Sequence, residues 1–198
     1  MSARVFFINK FGGISLQDVE RIHQAADLIA NKHPNTVVVT SAMEGVTNSL
    51  LKLSDFASKD KWRETQELLD NLCNKHRQVA IELSVSRNAL DKLEVILEEL
   101  RSLTVGIHLL HETSRRSQDQ VTSIGERLSS ILFTEALRHK NIDTICLDAR
   151  EVLRTDDTYN KAEPDIEVIR TLALEKIQPH LIEGTTVVTE GSIGATES

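Results

Sequence analysis

The run Thr36-Val37-Val38-Val39-Thr40 constrains this chain more than any other stretch. Five β-branched residues in a row, with no polar alternation, describe a strand buried on both faces. The strand gives way to Gly45 and then to Val46 to Phe56, whose pattern is helical. The same order stands upstream. Val5-Phe6-Phe7-Ile8 is β-branched and aromatic, breaks at Phe11-Gly12-Gly13, and leads into Leu16, Val19, Ile22, Ala26 and Ile29 at helical spacing. Two strand, glycine turn, helix units with unalternated strands imply a parallel sheet covered by helices.

From about 60 to 118 the chain is proline-free, has Gly106 as its only glycine, and is rich in Leu, Glu, Lys, Arg and Gln, all strong helix formers. Two or three helices are expected there, with Ser86-Arg87-Asn88 as a break and N-cap before Ala89 and a stripe of Leu90, Leu93, Leu97 and Leu100. The α/β rhythm resumes with a helix over Ile124 to Arg138, a short strand over Thr144 to Leu147, a helix over Asp165 to Ile182 and a strand over Thr185 to Thr189. The fold class expected is a three-layer α/β/α sandwich with a mostly parallel sheet and an inserted helical subdomain. Residues 191–198 read as a turn with no closing element, so the expected domain is incomplete at its C-terminus.

Charge and composition remove several functions. With a net charge of -7, the chain lacks the basic surface that a polyanion requires, which argues against nucleic acid. No apolar run approaches the roughly 20 residues that span a bilayer, and no signal sequence precedes the first strand, so no membrane partner is expected and a cytoplasmic location is. Cys73 and Cys146 lie far apart in no CxxC pattern, which suggests neither a disulfide framework nor a cysteine zinc site.

Three segments carry chemistry. Lys10-Phe11-Gly12-Gly13-Ile14-Ser15 sits between strand and helix, where glycines admit a ligand close to the backbone and a helix N-terminus offers N–H donors to an anion. It is not a Walker A loop, because the lysine precedes the glycines; a tight turn with a solvated Lys10 is the plainer alternative. Ser41-Ala42-Met43-Glu44-Gly45-Val46-Thr47-Asn48 again follows a strand, at the sheet edge where α/β proteins bind ligands. Ser41 and Thr47 either hydrogen-bond a carboxylate or cap the helix. In Ser123-Ile124-Gly125-Glu126-Arg127-Leu128-Ser129, Glu126 reads as a first-turn residue that complements the helix dipole, or as the partner of a substrate ammonium.

Taken together, Lys10-Phe11-Gly12-Gly13, Ser41-Ala42-Met43 with Gly45-Val46-Thr47, and Gly125-Glu126-Arg127-Leu128-Ser129 resemble, in order and rough spacing, the aspartokinases of the amino acid kinase superfamily. Val187-Val188-Thr189-Glu190-Gly191-Ser192-Ile193-Gly194-Ala195 is similar to that family's V-T-x-G-F-I-G-A stretch. The resemblance implies transfer of the ATP γ-phosphoryl group to the side-chain carboxylate of L-aspartate, with Mg²⁺, as the first step of lysine, threonine and methionine biosynthesis. By position it implies that Lys10 is catalytic and steadies the transferring group, and that Gly12, Gly13 and Ser15 bind phosphate or ATP with it. Ser41 and Thr47 would hold the substrate, and Glu126 its α-ammonium. No metal ligands are assigned. A homo-oligomer, commonly a dimer, is expected of the complete protein.

Some positions depart from the family. Ile14 stands for a threonine, Glu44 for a small residue, Asn48 for an aspartate and Ser192 for a phenylalanine. A G-R-G-G-S-D segment, the nucleotide half and the regulatory domains would follow Ala195 in the family. On this reading residues 1–198 are the N-terminal, amino-acid-substrate and phosphate-loop portion, inactive alone as a kinase. The alternative is a non-catalytic or truncated relative serving as an aspartate-binding or interaction module. His108, His111 and Glu112 match no zinc signature, since HExxH and HxxEH order the residues differently. Asp156-Asp157 reads as a solvated loop pair, although it falls where the family has a loop near the substrate.

Overall fold

A computed structural model describes residues 6–32 and 36–196. Among these residues four strands form one sheet in the order β1-β2-β4-β3, with β1 Phe7–Phe11, β2 Thr36–Thr40, β3 Thr144–Cys146 and β4 Thr186–Glu190. Every neighbouring pair is parallel, so all four strands deliver their C-terminal ends to one edge. Among the described residues seven α-helices accompany them: α1 Val19–Lys32, α2 Val46–Ser58, α3 Trp62–Glu82, α4 Arg87–Leu110, α5 Arg115–His139, α6 Ile166–Lys176 and α7 Gln178–Glu183.

The unalternated strands explain the layering. Val38 and Val188 point into a large core built with Ile22, Ala26 and Ile29 of α1 and Ile124, Leu128, Leu132 and Phe133 of α5. Val37 and Val187, on the opposite face, pack with Leu181 of α7. One strand therefore feeds two cores, which is why it carries no polar alternation. The large core continues outward through Leu50 and Leu53 of α2, Leu69, Leu72 and Cys73 of α3, and Leu93, Leu97 and Leu100 of α4. The helical excursion is thus fused to the sheet layer through α2 and α5.

Several boundaries differ from expectation. β1 extends to Phe11, which places Lys10 inside the strand rather than in the turn; Val5 lies outside the described residues. The glycine turn leads first to a short 3-10 turn over Gly13–Leu16, and α1 opens only at Val19. The first turn of α1 is capped by Asp18, whose Oδ1 accepts from the Arg21 N–H at 2.9 Å. Ser86 caps α4 as expected, accepting from the Ala89 N–H at 3.3 Å. The expected helix over Asp165 to Ile182 is two helices, capped by Asp165 and broken at Ile177, after which Pro179 enters the first turn of α7.

The largest correction concerns α5. It begins at Arg115, capped by Ser114, whose Oγ accepts from the Ser117 N–H at 3.1 Å. Glu126 is consequently about three turns inside the helix rather than in its first turn, beyond the reach of the N-terminal dipole. Gly125 does not break the helix. A Cβ there would stand 2.9 Å from both Ala42 Cβ and Val46 Cγ1, so the glycine lets α5 and α2 approach closely.

Candidate functional site

The carboxyl edge of the sheet opens into a cleft of about 860 Å³. Gly13, Ser41, Thr47 and Glu126, drawn from three separate segments, all line it. This is the position at which open α/β sheets bind ligands. The segments are stitched together by backbone. The Ser41 N–H donates to the Phe11 carbonyl and the Glu44 N–H to the Gly13 carbonyl, both at 3.1 Å. A Cβ on Gly13 would lie 2.9 Å from the Ala42 carbonyl oxygen, so only glycine allows the two loops this contact. Gly45, at φ +76, turns the second loop into α2 in left-handed backbone that glycine adopts without strain.

Glu126 is the site's buried carboxylate, 8% exposed. Its Oε2 accepts from the Ser192 N–H at 2.7 Å, which ties the turn after β4 to α5. A buried carboxylate at a cleft wall is costly without cationic or hydrogen-bonding partners, which makes it a natural counter-charge for a ligand ammonium. Ser41 and Thr47 line the same cleft. Neither is used as a cap by α2, whose N-cap is Gly45, with no side-chain cap.

Lys10, Gly12 and Ser15 do not line this cleft. Lys10 stands exposed near the C-terminal end of β1, with its Cε 3.7 Å from the position a Cβ of Gly191 would take. Its ammonium stem therefore lies beside the turn that follows β4, at the same sheet edge. The Ser15 N–H donates to the Gly12 carbonyl at 3.0 Å, closing the 3-10 turn. Gly13 belongs both to this loop and to the cleft.

Sequence reasoning missed part of the wall. Arg116, Asp119, Arg150, Tyr159 and Asn160 also line the cleft. Asp119 Oδ2 accepts from the Asn160 N–H at 2.8 Å, holding the long β3–α6 connection against α5. Arg150 grips Asp148, with Nη2 2.6 Å from Oδ2 and Nε 2.9 Å from Oδ1. Burial pushes the Asp148 carboxyl up, but the Arg150 guanidinium and amide outweigh it and hold the group below its usual range. The recognisable signal was the helix-forming run ahead of Ser123, which would have carried α5 back to Arg116 and Asp119. Asp156, expected as a solvated loop residue, lines the cleft and accepts from the Thr158 and Glu163 amides.

Beneath the turn lies a second buried carboxylate. Glu190, 3% exposed, accepts from the Ser130 hydroxyl at 2.6 Å on Oε1 and from the Ala149 N–H at 2.7 Å on Oε2. Burial raises its pKa. It fastens the end of β4 to α5 and to the loop that presents Arg150.

The chain as a whole is similar to known proteins. The chain is 33% identical to the lysine-sensitive aspartokinase 3 of Escherichia coli strain K12 over 95% of this chain and 40% of that protein. It is 31% identical to an aspartokinase of Chlamydia muridarum over 96% of this chain and 40% of the relative. The crystal structure of E. coli aspartokinase III with aspartate and ADP superposes at a TM-score of 0.88 with 33% identity, covering 98% of this chain and 42% of that one. The present chain thus spans about two fifths of these relatives. Residues 6–198 match the amino acid kinase family, and the chain belongs to it.

Proposed function

We propose that this chain supplies the aspartate-binding and phosphate-loop portion of an aspartate kinase. The observation that carries the reading is the convergence of Ser41, Thr47 and the buried Glu126 carboxylate on one cleft beside the glycine loop. Its support is the similarity to aspartokinases, one of them solved with aspartate and ADP.

Glu126 pairs with the α-ammonium of L-aspartate, and the Ser41 and Thr47 hydroxyls donate to a carboxylate. The substrate's side-chain carboxylate then faces the loop of Gly12 and Gly13. Being already ionised, it needs no general base: a carboxylate oxygen attacks the γ-phosphorus of ATP, the bond from that phosphorus to the bridging oxygen breaks, and ADP leaves with the electron pair. Phosphoryl transfer of this kind is catalysed mainly by positioning and charge stabilisation. Lys10 supplies the positive charge and the glycine amides supply hydrogen bonds to the transferring group.

ATP carries Mg²⁺ in such reactions. The cleft carboxylates of Asp119, Glu126 and Asp156 each accept from a backbone amide. The same reading places the protein in the cytoplasm as a homo-oligomer.

The test is ATP-dependent formation of aspartyl phosphate, trapped with hydroxylamine, in the complete protein. Lys10→Ala is expected to lower kcat and Glu126→Ala to raise KM for aspartate, each by a factor of about a hundred or more. Wild-type kinetics in both variants contradict the assignment.

A further inference from the structure

Away from the cleft, Asp60, His108 and His111 come together where the turn between α2 and α3 meets the end of α4. One side-chain donor atom from each lies within 4.8 Å of the others. We propose that these three residues form a binding site for a transition-metal dication of the zinc class.

The central observation is His108 Nδ1. It is shielded from solvent and has no hydrogen-bond partner, a state that buried polar atoms seldom keep without a water or an ion. It faces Asp60 Oδ1 at 3.6 Å, too far for a hydrogen bond. Two ligands bonded to one zinc ion at about 2.1 Å stand about 3.4 Å apart along the edge of a tetrahedron, close to the separation seen. The His108 ring is already held in place, stacked on Trp62 at 4.2 Å with 21° between the planes. The His111 ring meets it edge-on at 5.8 Å. Asp60 is largely exposed and His111 is exposed, so both are placed to close the remaining gap by side-chain rotation.

The donor set selects the ion. Two imidazoles and one carboxylate suit zinc, nickel or copper, whereas magnesium and calcium take oxygen ligands. The electrostatics agree, because α2 and α4 both end here and present the negative ends of their dipoles to a cation. The sequence order around His108, His111 and Glu112 gave no signature because the third donor, Asp60, comes from across the fold. A bound ion would brace the α2–α3 turn against the segment that leads into α5.

The experiment titrates the chelator-treated chain with zinc chloride by calorimetry, with magnesium chloride in parallel. The expected result is a single saturable zinc site of micromolar affinity or better, with no binding of magnesium. Loss of even an outer partner at such sites costs roughly ten- to a hundredfold in affinity, so Asp60→Asn and His108→Phe should each weaken zinc by at least that. The phenylalanine retains a ring against Trp62; should that variant misfold, Asp60→Asn decides, since asparagine tolerates the φ of +57 at this exposed position. No saturable zinc binding, or zinc bound equally by the variants and the parent, overturns the proposal.

Discussion

Two glycines inside helices offer a paired experiment with opposite expected signs. Gly106 lies in α4, and a Cβ built on it meets nothing within 4 Å. Gly106→Ala therefore keeps only the gain in helix propensity, about 1 kcal/mol of added stability. Gly125 lies in α5, where the new methyl would stand 2.9 Å from Ala42 Cβ, 2.9 Å from Val46 Cγ1 and 3.2 Å from Leu50 Cδ1. Ala42 has no rotamer with which to withdraw, so backbone must move. Overpacking of this kind costs about 1–3 kcal/mol, which offsets the propensity gain and leaves Gly125→Ala about 1 kcal/mol less stable than the parent. For a chain of this size each kcal/mol moves Tm by about 2–4 °C, so the two variants should separate by about 4–8 °C in scanning calorimetry. The displaced Ala42 also carries the Ser41 to Gly45 loop, so aspartate affinity should fall in Gly125→Ala and not in Gly106→Ala. A Gly125→Ala variant as stable as Gly106→Ala would refute the claim that this glycine sets the distance between α5 and the Ser41 to Gly45 loop.

Two buried titratable groups give further tests. His76 is 1% exposed, and burial lowers its pKa to about 4. The unfolded chain protonates this group near the ordinary 6.5 while the folded chain does not, so its contribution is intact above pH 6.5 and is lost as the pH falls toward 4, by roughly 3 kcal/mol. In urea denaturation, His76→Leu should flatten that acid limb; an unchanged limb contradicts the assignment. Glu190 has the opposite sign. Its folded pKa is raised, so its contribution is fullest below the ordinary carboxyl value and is lost as the pH rises through the folded one. Glu190→Gln should remove this loss and match or exceed parental stability at neutral pH, and a pH profile that overlays the parent's would show that the carboxyl titrates normally.

The parts of this architecture that depend on local chemistry were legible in the sequence. The uninterrupted Thr36 to Thr40 run reports burial on both faces directly, and the structure packs Val37 and Val38 into two different cores. The glycines after β1 and β2 report close backbone approach, which Gly13 makes against Ala42. What depends on distant segments was not legible. Glu126 is buried mid-helix because α5 starts at Arg115, well before the expected start at Ile124, and Gly125 is a packing residue against α2. Arg150 reaches the cleft through a loop held by Glu190, a contact that spans 41 positions of the chain. Asp60 meets His108 for the same kind of reason. Helix periodicity places each on its own element and says nothing of which elements meet.

The most direct measurement of the central claim is calorimetric titration of the 198-residue chain with L-aspartate, with L-glutamate and succinate as controls. The account predicts saturable binding of L-aspartate that weakens sharply in Glu126→Gln. Succinate, which keeps both carboxylates but lacks the ammonium, should bind poorly to the parent chain and lose nothing further in the variant. Aspartate binding that is indifferent to Glu126→Gln, or succinate bound as tightly as aspartate, would contradict the role given to the buried carboxylate and the reading built on it.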